Sequence, residues 1–482
     1  MALKGCLRRI KPLEILTDEQ LESIYAGTLV CLERTGVRIE HDKGLKLLSD
    51  NGCEVDAKNR RARIPSHLTE ECIRKCPSNF YVRSRDAKHD LMMGGNTTYF
   101  ASFPGMRIID LDNWLPRTAK MQEQYDACKT LDALDYNHFQ SYGPYFDIEG
   151  VPPCMLEPVS FASRLRHSTK ITVSGYANDS ELFNIKMAKA AGTEAFAWFA
   201  ASPPLTIHGE AVEAAFRFVN SGFVIGLGSG GMYGGTAPAT IAGSTITNNA
   251  ELLAALVLVQ LVKPGTRVVA VDFNFPLDMR TGTPAFGAVE SALHNAIFNQ
   301  IWRSLGIPTF GCAGGLSSAK PIDFQCGYEK AMSALINGLS GANMIQLHGG
   351  AYGELAWHPA LAVLDDDIAG WIGRVLEGVE VADETLALDI IDEVGPIPGH
   401  YLNKPHTLKW WRKEQFVPKS ADRLSYPEWL KKGKRDALAL AKERLKEIMV
   451  THDPTPMPED RSKEIDEILQ EAKKHYEKKG FI

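Results

Sequence analysis

The sequence predicts an α/β fold, a closed (β/α)8 barrel of the TIM type with helical extensions at both ends. Short apolar runs alternate with segments of helical periodicity at intervals of about 30 to 40 residues. These runs are almost continuously apolar, as expected of parallel strands that are buried on both faces. The competing arrangement is an open doubly wound sheet, which usually has fewer strands and a fingerprint loop after its first strand.

The barrel prediction depends on eight strand candidates and on the helical segments between them. The strands are predicted at residues 98–103, 138–142, 170–174, 196–202, 223–228, 268–273, 308–312 and 344–348. Helical periodicity occurs at residues 121–134, 179–191, 210–220, 249–262, 288–305, 325–339 and 360–376. We therefore expect a helical extension over residues 1–95, the barrel over 96–380, and a helical carboxyl-terminal extension and tail over 381–482.

The composition and charge of the chain exclude several classes of function. A chain of 482 residues that is 44% hydrophobic and 23% charged has enough apolar residues for a large core. Its net charge of -6 argues against a nucleic-acid partner, which usually requires clustered Lys and Arg. We expect a cytoplasmic protein, because the sequence predicts neither a signal peptide nor a membrane span. The nine cysteines include no CxxC pair, so we expect no bound metal.

In such a barrel the working residues lie at the carboxyl ends of the strands and in the loops that follow. Aromatic residues recur at these positions, and rings of this kind can surround a cation with their negative faces. Packing of each ring at the barrel top or in an oligomer contact is the alternative. The candidate cage residues are Tyr99, Phe103, Tyr142, Tyr145, Tyr233 and Tyr352.

Polar residues and glycines also mark the predicted mouth. His348 ends a strand and precedes two glycines, so it is a candidate donor to a substrate carboxylate or a structural histidine. Asp272 and Asn274 lie at the end of the sixth strand. Two roles stay open for them, which are the binding of substrate or cofactor and the capping of the loop. The run GLGSGG at 226–231 matches a dinucleotide motif only weakly, because no helix starts at its last glycine. Close approach of a bulky ligand explains such glycines equally well.

Three separated motifs resemble the trimethylamine methyltransferase family. They are GTAPATIAGSTITNNAE at 235–251, LSSAKPIDFQCGYEKAMSALINGLSGANMI at 316–345, and LDDDI at 364–368. The resemblance implies a barrel enzyme that moves a methyl group from a methylated amine to cobalamin, the corrinoid carried by a separate partner protein. Trimethylamine-specific members carry pyrrolysine in the barrel, whereas every residue of this chain is an ordinary one.

The missing pyrrolysine changes the expected substrate. A quaternary ammonium leaves as a neutral amine once a nucleophile takes its methyl group, so it needs no covalent activator. The resemblance therefore implies a quaternary amine, with glycine betaine ahead of proline betaine and carnitine. The helical amino-terminal extension and the charged carboxyl-terminal helices offer surface for self-association, so we also expect a homo-oligomer. Residues expected to face the corrinoid are Asp272, Asn274, Gly228, Gly311, Gly314 and Gly315.

Two other classes stay open at this point. One is a non-catalytic subunit that binds betaine and delivers it to a partner. The other is a barrel lyase or isomerase that acts on a phosphorylated or carboxylated metabolite, for which we expect a metal or phosphate site.

Overall fold

The computed structural model describes residues 5–141 and 143–482 and contains a closed parallel barrel. In these residues eight barrel strands run in chain order: β1 Thr97–Ser102, β2 Phe139–Gln140, β3 Ile171–Ser174, β4 Ala195–Ala200, β5 Val224–Ser229, β6 Val268–Asp272, β7 Thr309–Gly311 and β8 Met344–His348. The barrel closes because β8 pairs with β1, with Met344 opposite Tyr99. The predicted barrel and its strand positions are confirmed.

A helix follows each strand and covers the outside of the barrel. In chain order the helices are α1 Met121–Ala133, α2 Leu156–His167, α3 Ser180–Ala191, α4 Gly209–Ser221, α5 Ile241–Val262, α6 Val289–Ser304, α7 Phe324–Ser340 and α8 Pro359–Glu377. Within the described part of the chain, α5 is the one helix long and apolar enough to cross a membrane. Most of α5 is buried, because helices Asp18–Val30 and Ser66–Arg74 pack on its outer side.

The barrel interior is filled by side chains from alternate strand positions. Bulky residues at the lower levels pack together in one apolar cluster with the hairpin Phe80–Val82 and Leu91–Met93, which closes the amino-terminal end. These inward-facing residues include Tyr99, Phe139, Ile171, Phe196, Val224, Val269, Phe310 and Met344. The barrel is therefore a packed core with its open end at the carboxyl termini of the strands.

Residues before the barrel contain helices and also short strands that the sequence did not predict. The helices are Asp18–Val30, Asp42–Asp50 and Ser66–Arg74, and the strands are Cys6–Leu7, Val37–Ile39, Glu54–Asp56, Arg61–Arg63, Phe80–Val82 and Leu91–Met93. Strands of two or three residues are too short to show a two-residue period, which explains the difference. Cys6–Leu7 adds an antiparallel pairing to the start of β1.

Short elements occur in the loops at the carboxyl-terminal face and beyond the barrel. The loops contain Arg107–Ile109, Pro116–Arg117, Thr206–Ile207, Met232–Tyr233, Phe275–Asp278, Thr283–Pro284, Gly350–Ala351 and Ala356–Trp357. The helices after α8 are Asp383–Leu386, Leu388–Val394, Pro405–Glu414, Tyr426–Lys431, Ala437–Thr451 and Glu459–Lys478. The last two pack against the outside of the barrel, on α8 and on α3 respectively.

A buried ion pair holds the end of β8. Lys330 Nζ lies 3.1 Å from Asp365 Oδ2, and both side chains are fully buried. The same ammonium group donates hydrogen bonds to the carbonyl oxygens of Leu347 and Gly350 at 3.0 and 2.7 Å. Asp365 in turn accepts a 2.7 Å hydrogen bond from the N–H of Gly349. Helices α7 and α8 are thus tied to the segment that leaves the last strand.

Replacing Lys330 with Met should destabilise the protein by about 3 to 5 kcal/mol, because it leaves the carboxylate of Asp365 buried without its cation. Lys446 is exposed and serves as the matched control, since Lys446→Met leaves no buried charge unpaired. Denaturant unfolding followed by circular dichroism measures both variants. Equal unfolding midpoints for Lys330→Met and Lys446→Met would show that the pair does not hold this segment.

Candidate functional site

The candidate site is the carboxyl-terminal mouth of the barrel, where inward-facing residues at the strand ends meet. Cys312 belongs to the interior cluster, and the half-buried rings of Trp198 and Phe273 pack against it. Gly228 also faces inward, because a Cβ atom at this position would lie 3.2 Å from Cζ2 of Trp198. Bulky rings and small residues therefore alternate around the mouth.

A polar chain crosses this level of the barrel. The thiol of Cys312 donates to Oε1 of Gln346. Nε2 of Gln346 donates to the carbonyl oxygen of Ser102 and to Oγ of Ser141, each at 3.2 Å. Burial raises the pKa of Cys312 well above its usual value, and the negative charges of Glu354 and Asp272 raise it further. The thiol thus stays protonated and does not provide a nucleophilic thiolate.

Aromatic rings form a second cluster above the strand ends, in the loops. Phe103, Tyr145 and Trp357 are fully buried there, and the half-buried Phe273 and Phe286 pack against them. The ring centroids of Tyr145 and Trp357 are 5.6 Å apart and nearly perpendicular. The hydroxyl group of Tyr145 is buried and makes no hydrogen bond within residues 5–141 and 143–482. Of the predicted cage residues, the structure brings Phe103 and Tyr145 together here.

Tyr233 lies in a different group, beside helix α6. Nδ1 of His294 is 2.8 Å from Oδ2 of Asp272, and its Nε2 is 3.3 Å from Nδ2 of Asn274. The ring of Tyr233 lies 5.5 Å from that of His294. Asn274 Oδ1 also accepts a hydrogen bond from the N–H of Gly231. Asn274 thus fixes the loop after β5, while Asp272 holds His294 of α6 and the N–H of Asn274. Asp272 does not face the barrel interior, because Val271 takes the inward position on β6.

The sequence predicts that His348 points into the mouth, but in the structure its side chain points away from the mouth. The register between β8 and β1 shifts between Gln346 and His348, and this irregularity turns the imidazole outward. Its Nε2 lies 3.3 Å from Oδ1 of Asp366 on α8, and both side chains are buried. The geometry therefore favours a structural histidine that holds α8 against the barrel.

Tyr99 and Tyr352, two further predicted cage residues, are not part of the aromatic cluster. The hydroxyl group of Tyr99 is hydrogen-bonded to the backbone N–H and carbonyl of Met92, so this ring faces the amino-terminal end. The half-buried ring of Tyr352 has the ammonium group of Lys320 at 4.1 Å from its centroid. Tyr142 lies outside the described residues.

Three of the predicted corrinoid-facing glycines are explained by packing inside the protein. An added Cβ would lie 2.1 Å from Oδ1 of Asn337 at Gly311, and 2.7 Å from Nδ2 of Asn337 at Gly314. At Gly315 it would lie 2.3 Å from the carbonyl oxygen of Gln346. These distances leave no room for a side chain, so these glycines are required for contact between β7, β8 and α7.

Glu354 is a mouth residue that the sequence analysis missed. It lies between the short strands Gly350–Ala351 and Ala356–Trp357, in the loop after β8. Burial raises the pKa of its carboxyl group to about 7. A single glutamate in a loop has no sequence signature, and only the closed barrel brings it near Cys312.

The acidic motif at the start of α8 binds three different segments. Asp365 holds Lys330 and Gly349, as described above, while Asp366 accepts a 2.9 Å hydrogen bond from the N–H of Tyr136. The carboxylate of Asp367 accepts hydrogen bonds from the N–H groups of Lys419 and Ser420 at 2.7 and 2.6 Å. This motif therefore supports the mouth from outside. In the part of the chain that the structure describes, no group of three His, Cys, Asp or Glu residues is placed to hold a metal ion.

Comparisons with known proteins agree with this architecture. The family model described as "Trimethylamine methyltransferase (MTTB)" matches residues 1–477. The chain is 29% identical over 470 residues to the trimethylamine methyltransferase MttB of Desulfitobacterium hafniense strain DSM 10664 / DCB-2, covering 95% of this chain and 94% of that protein. It is 27% identical over 471 residues to the glycine betaine methyltransferase of Desulfitobacterium hafniense strain Y51, covering 95% of each.

Among solved structures, the monomethylamine methyltransferase of Methanosarcina barkeri is similar in fold. The TM-score is 0.52 at 12% identity, and the match covers 96% of this chain and 88% of that one.

Replacing His348 with Ala should lower the free energy of unfolding by about 1 to 3 kcal/mol, because the buried carboxylate of Asp366 loses a hydrogen-bond partner. Leu355→Ala, at an exposed position in the next loop, is the control and should leave stability nearly unchanged. Thermal and denaturant unfolding measure both. A variant at His348 that is as stable as the wild type would argue against the structural role.

Proposed function

We infer that this chain, which belongs to the trimethylamine methyltransferase family, transfers a methyl group from a quaternary amine to the corrinoid of a separate partner protein. Glycine betaine is the substrate we place first, with dimethylglycine as the product. The observation that carries this proposal is the cluster of rings at the carboxyl-terminal mouth, including Phe103, Tyr145 and Trp357. A cluster of this kind is suited to a cation that has no N–H group to donate.

The sequence supports a quaternary rather than a tertiary amine. Every residue is an ordinary amino acid, so the chain lacks the pyrrolysine that the family resemblance associates with trimethylamine. A quaternary nitrogen carries its positive charge permanently, and it takes back the electron pair of the broken C–N bond when the methyl group leaves. The similarity to a protein named glycine betaine methyltransferase is consistent with this choice.

The residues of the chain contribute binding, orientation and exclusion of water. Each well-placed ring stabilises the cation by about 0.5 to 2 kcal/mol. The corrinoid, when its carrier is docked, supplies the reduced cobalt nucleophile that accepts the methyl group. Gln346 is held by Ser102 and Ser141 and accepts a hydrogen bond from the thiol of Cys312, which burial keeps protonated. Transfer of an N-methyl group from a quaternary amine requires no general base.

Apolar residues exposed around the mouth support docking of a partner there. Met106, Leu115, Met279 and Leu355 are exposed and belong to loops that follow the carboxyl ends of barrel strands. Such a rim fits the apolar surface of a flat macrocycle and of the domain that carries it. We further propose that the protein is cytoplasmic and that it forms a homo-oligomer. Self-association is supported by the carboxyl-terminal extension, which also exposes large apolar side chains such as Ile397 and Leu402.

The purified protein should transfer a methyl group from quaternary amines to free cob(I)alamin, and the absorbance of methylcobalamin measures the product. The panel contains glycine betaine, proline betaine, carnitine and trimethylamine. We expect the fastest transfer from glycine betaine and none from trimethylamine, because trimethylamine has no permanent charge. Transfer confined to trimethylamine would contradict the substrate proposal. Betaine binding without any methyl transfer would instead favour a non-catalytic binding subunit.

A further inference from the structure

The loop that carries Glu354 is held rigidly over the barrel mouth. The N–H of Met106 donates a 2.8 Å hydrogen bond to the carbonyl oxygen of Glu354, and the N–H of Gly353 donates one of 2.9 Å to that of Ser317. Gly353 lies directly against Phe286, since an added Cβ would be 2.3 Å from Cε2 of that ring. The glutamate side chain therefore leaves a fixed backbone beside the aromatic cluster.

The carboxylate of Glu354 has no partner within residues 5–141 and 143–482, where no hydrogen bond or ion pair reaches it. Its side chain is half-buried. Other acids in the protein interior have partners. Asp365 forms an ion pair with Lys330, and the carboxylate of Glu251 accepts hydrogen bonds from the hydroxyl group of Ser229 and from the N–H of Leu205. A half-buried carboxylate that lacks a protein partner keeps its charge available to a ligand that enters the mouth.

No neighbouring group in the described residues neutralises this carboxylate. Cys312, directly after β7, is close enough that the charge of Glu354 contributes to raising its pKa. Lys320, on the segment beside the loop, extends over the ring of Tyr352 and donates to the carbonyl oxygen of Ser318 at 3.0 Å. Arg107, on the strand paired with Ala356–Trp357, is bound to Asp147 at 3.1 Å. Tyr145, in the aromatic cluster, is uncharged, since burial raises the pKa of its hydroxyl group.

We propose that Glu354 is the counter-charge for the substrate's quaternary ammonium group, an inference that rests on the proposed function. An organic cation fits better than a metal ion, because a metal would require several oxygen, nitrogen or sulfur ligands, and within residues 5–141 and 143–482 no group of three His, Cys, Asp or Glu residues is placed to supply them. A quaternary ammonium has no hydrogen to donate, so it takes an unpaired negative charge and aromatic faces as its partners. Glu354 binds the substrate and takes no part in bond breaking.

Proton linkage is a measurable consequence of this arrangement. With its pKa at about 7, Glu354 is partly protonated in the free protein near neutral pH. A bound cation favours the carboxylate and lowers that pKa, so binding releases a proton. Affinity should therefore increase as the pH rises towards 7 and level off above it. Each unit by which the cation lowers the pKa corresponds to about a tenfold gain in affinity between the acidic and basic limits.

Isothermal titration calorimetry of the full chain with glycine betaine, and separately with tetramethylammonium, tests this. Titrations of the wild type near pH 7 in two buffers of different ionisation enthalpy measure the number of protons released on binding. This measurement does not depend on any variant. We expect Glu354→Gln to bind at least about tenfold more weakly near pH 8, with no proton release and no pH dependence. Glu149→Gln, at an exposed glutamate in another loop of the same face, should bind like the wild type.

The outcomes separate this inference from the proposed function. Binding of a quaternary amine by the wild type without proton release, together with unchanged affinity in Glu354→Gln, would overturn the role of Glu354 and leave the proposed function standing. Absence of binding to the wild type, together with absence of methyl transfer from any quaternary amine, would contradict the proposed function itself. Proton release in the wild type supports the inference even if Glu354→Gln fails to fold.

Discussion

Pairing between the first and last barrel strands is the constraint on which the site depends. β8 closes on β1, and the N–H of Phe103 then donates a 2.8 Å hydrogen bond to the carbonyl oxygen of His348. This contact joins the loop after β1 to the loop after β8. Trp357, in the same loop as Glu354, thereby comes to lie beside Phe103 and Tyr145, which are distant in the sequence. An open sheet would separate these groups.

Closure also divides the side chains into two chemical classes. Among the described residues, most positions that face the interior are apolar or aromatic, and a polar chain runs through Cys312 and Gln346. Most buried acids and histidines, such as Asp272 with His294, lie between the strands and the surrounding helices. They hold loops and helices in place. This division favours a site that binds and orients a charged substrate over one that performs acid and base chemistry.

The strands were predictable from the sequence because apolar runs mark them, but the direction of each side chain was not. In β6 the residues Val268, Val269, Ala270 and Val271 are all apolar, so the pattern does not show which face is inward. The sequence pattern therefore predicts Asp272 at the mouth, whereas in the structure it binds His294 of α6. For His348 the register shift next to Gln346 is a tertiary feature with no sequence signal. Phe103 and Tyr145 were found because aromatic residues at strand ends are conspicuous, whereas Glu354 became apparent only from its missing partner.

The central claim is that a permanent cation binds among the rings beside Glu354. Crystals soaked with arsenobetaine, the arsonium analogue of glycine betaine, would locate the cation directly through the anomalous scattering of arsenic. We expect one strong peak at the carboxyl-terminal mouth, within about 6 Å of the aromatic ring centroids and next to the Glu354 carboxylate. An arsenic peak on the outside of the barrel, with none at the mouth, would contradict the claim.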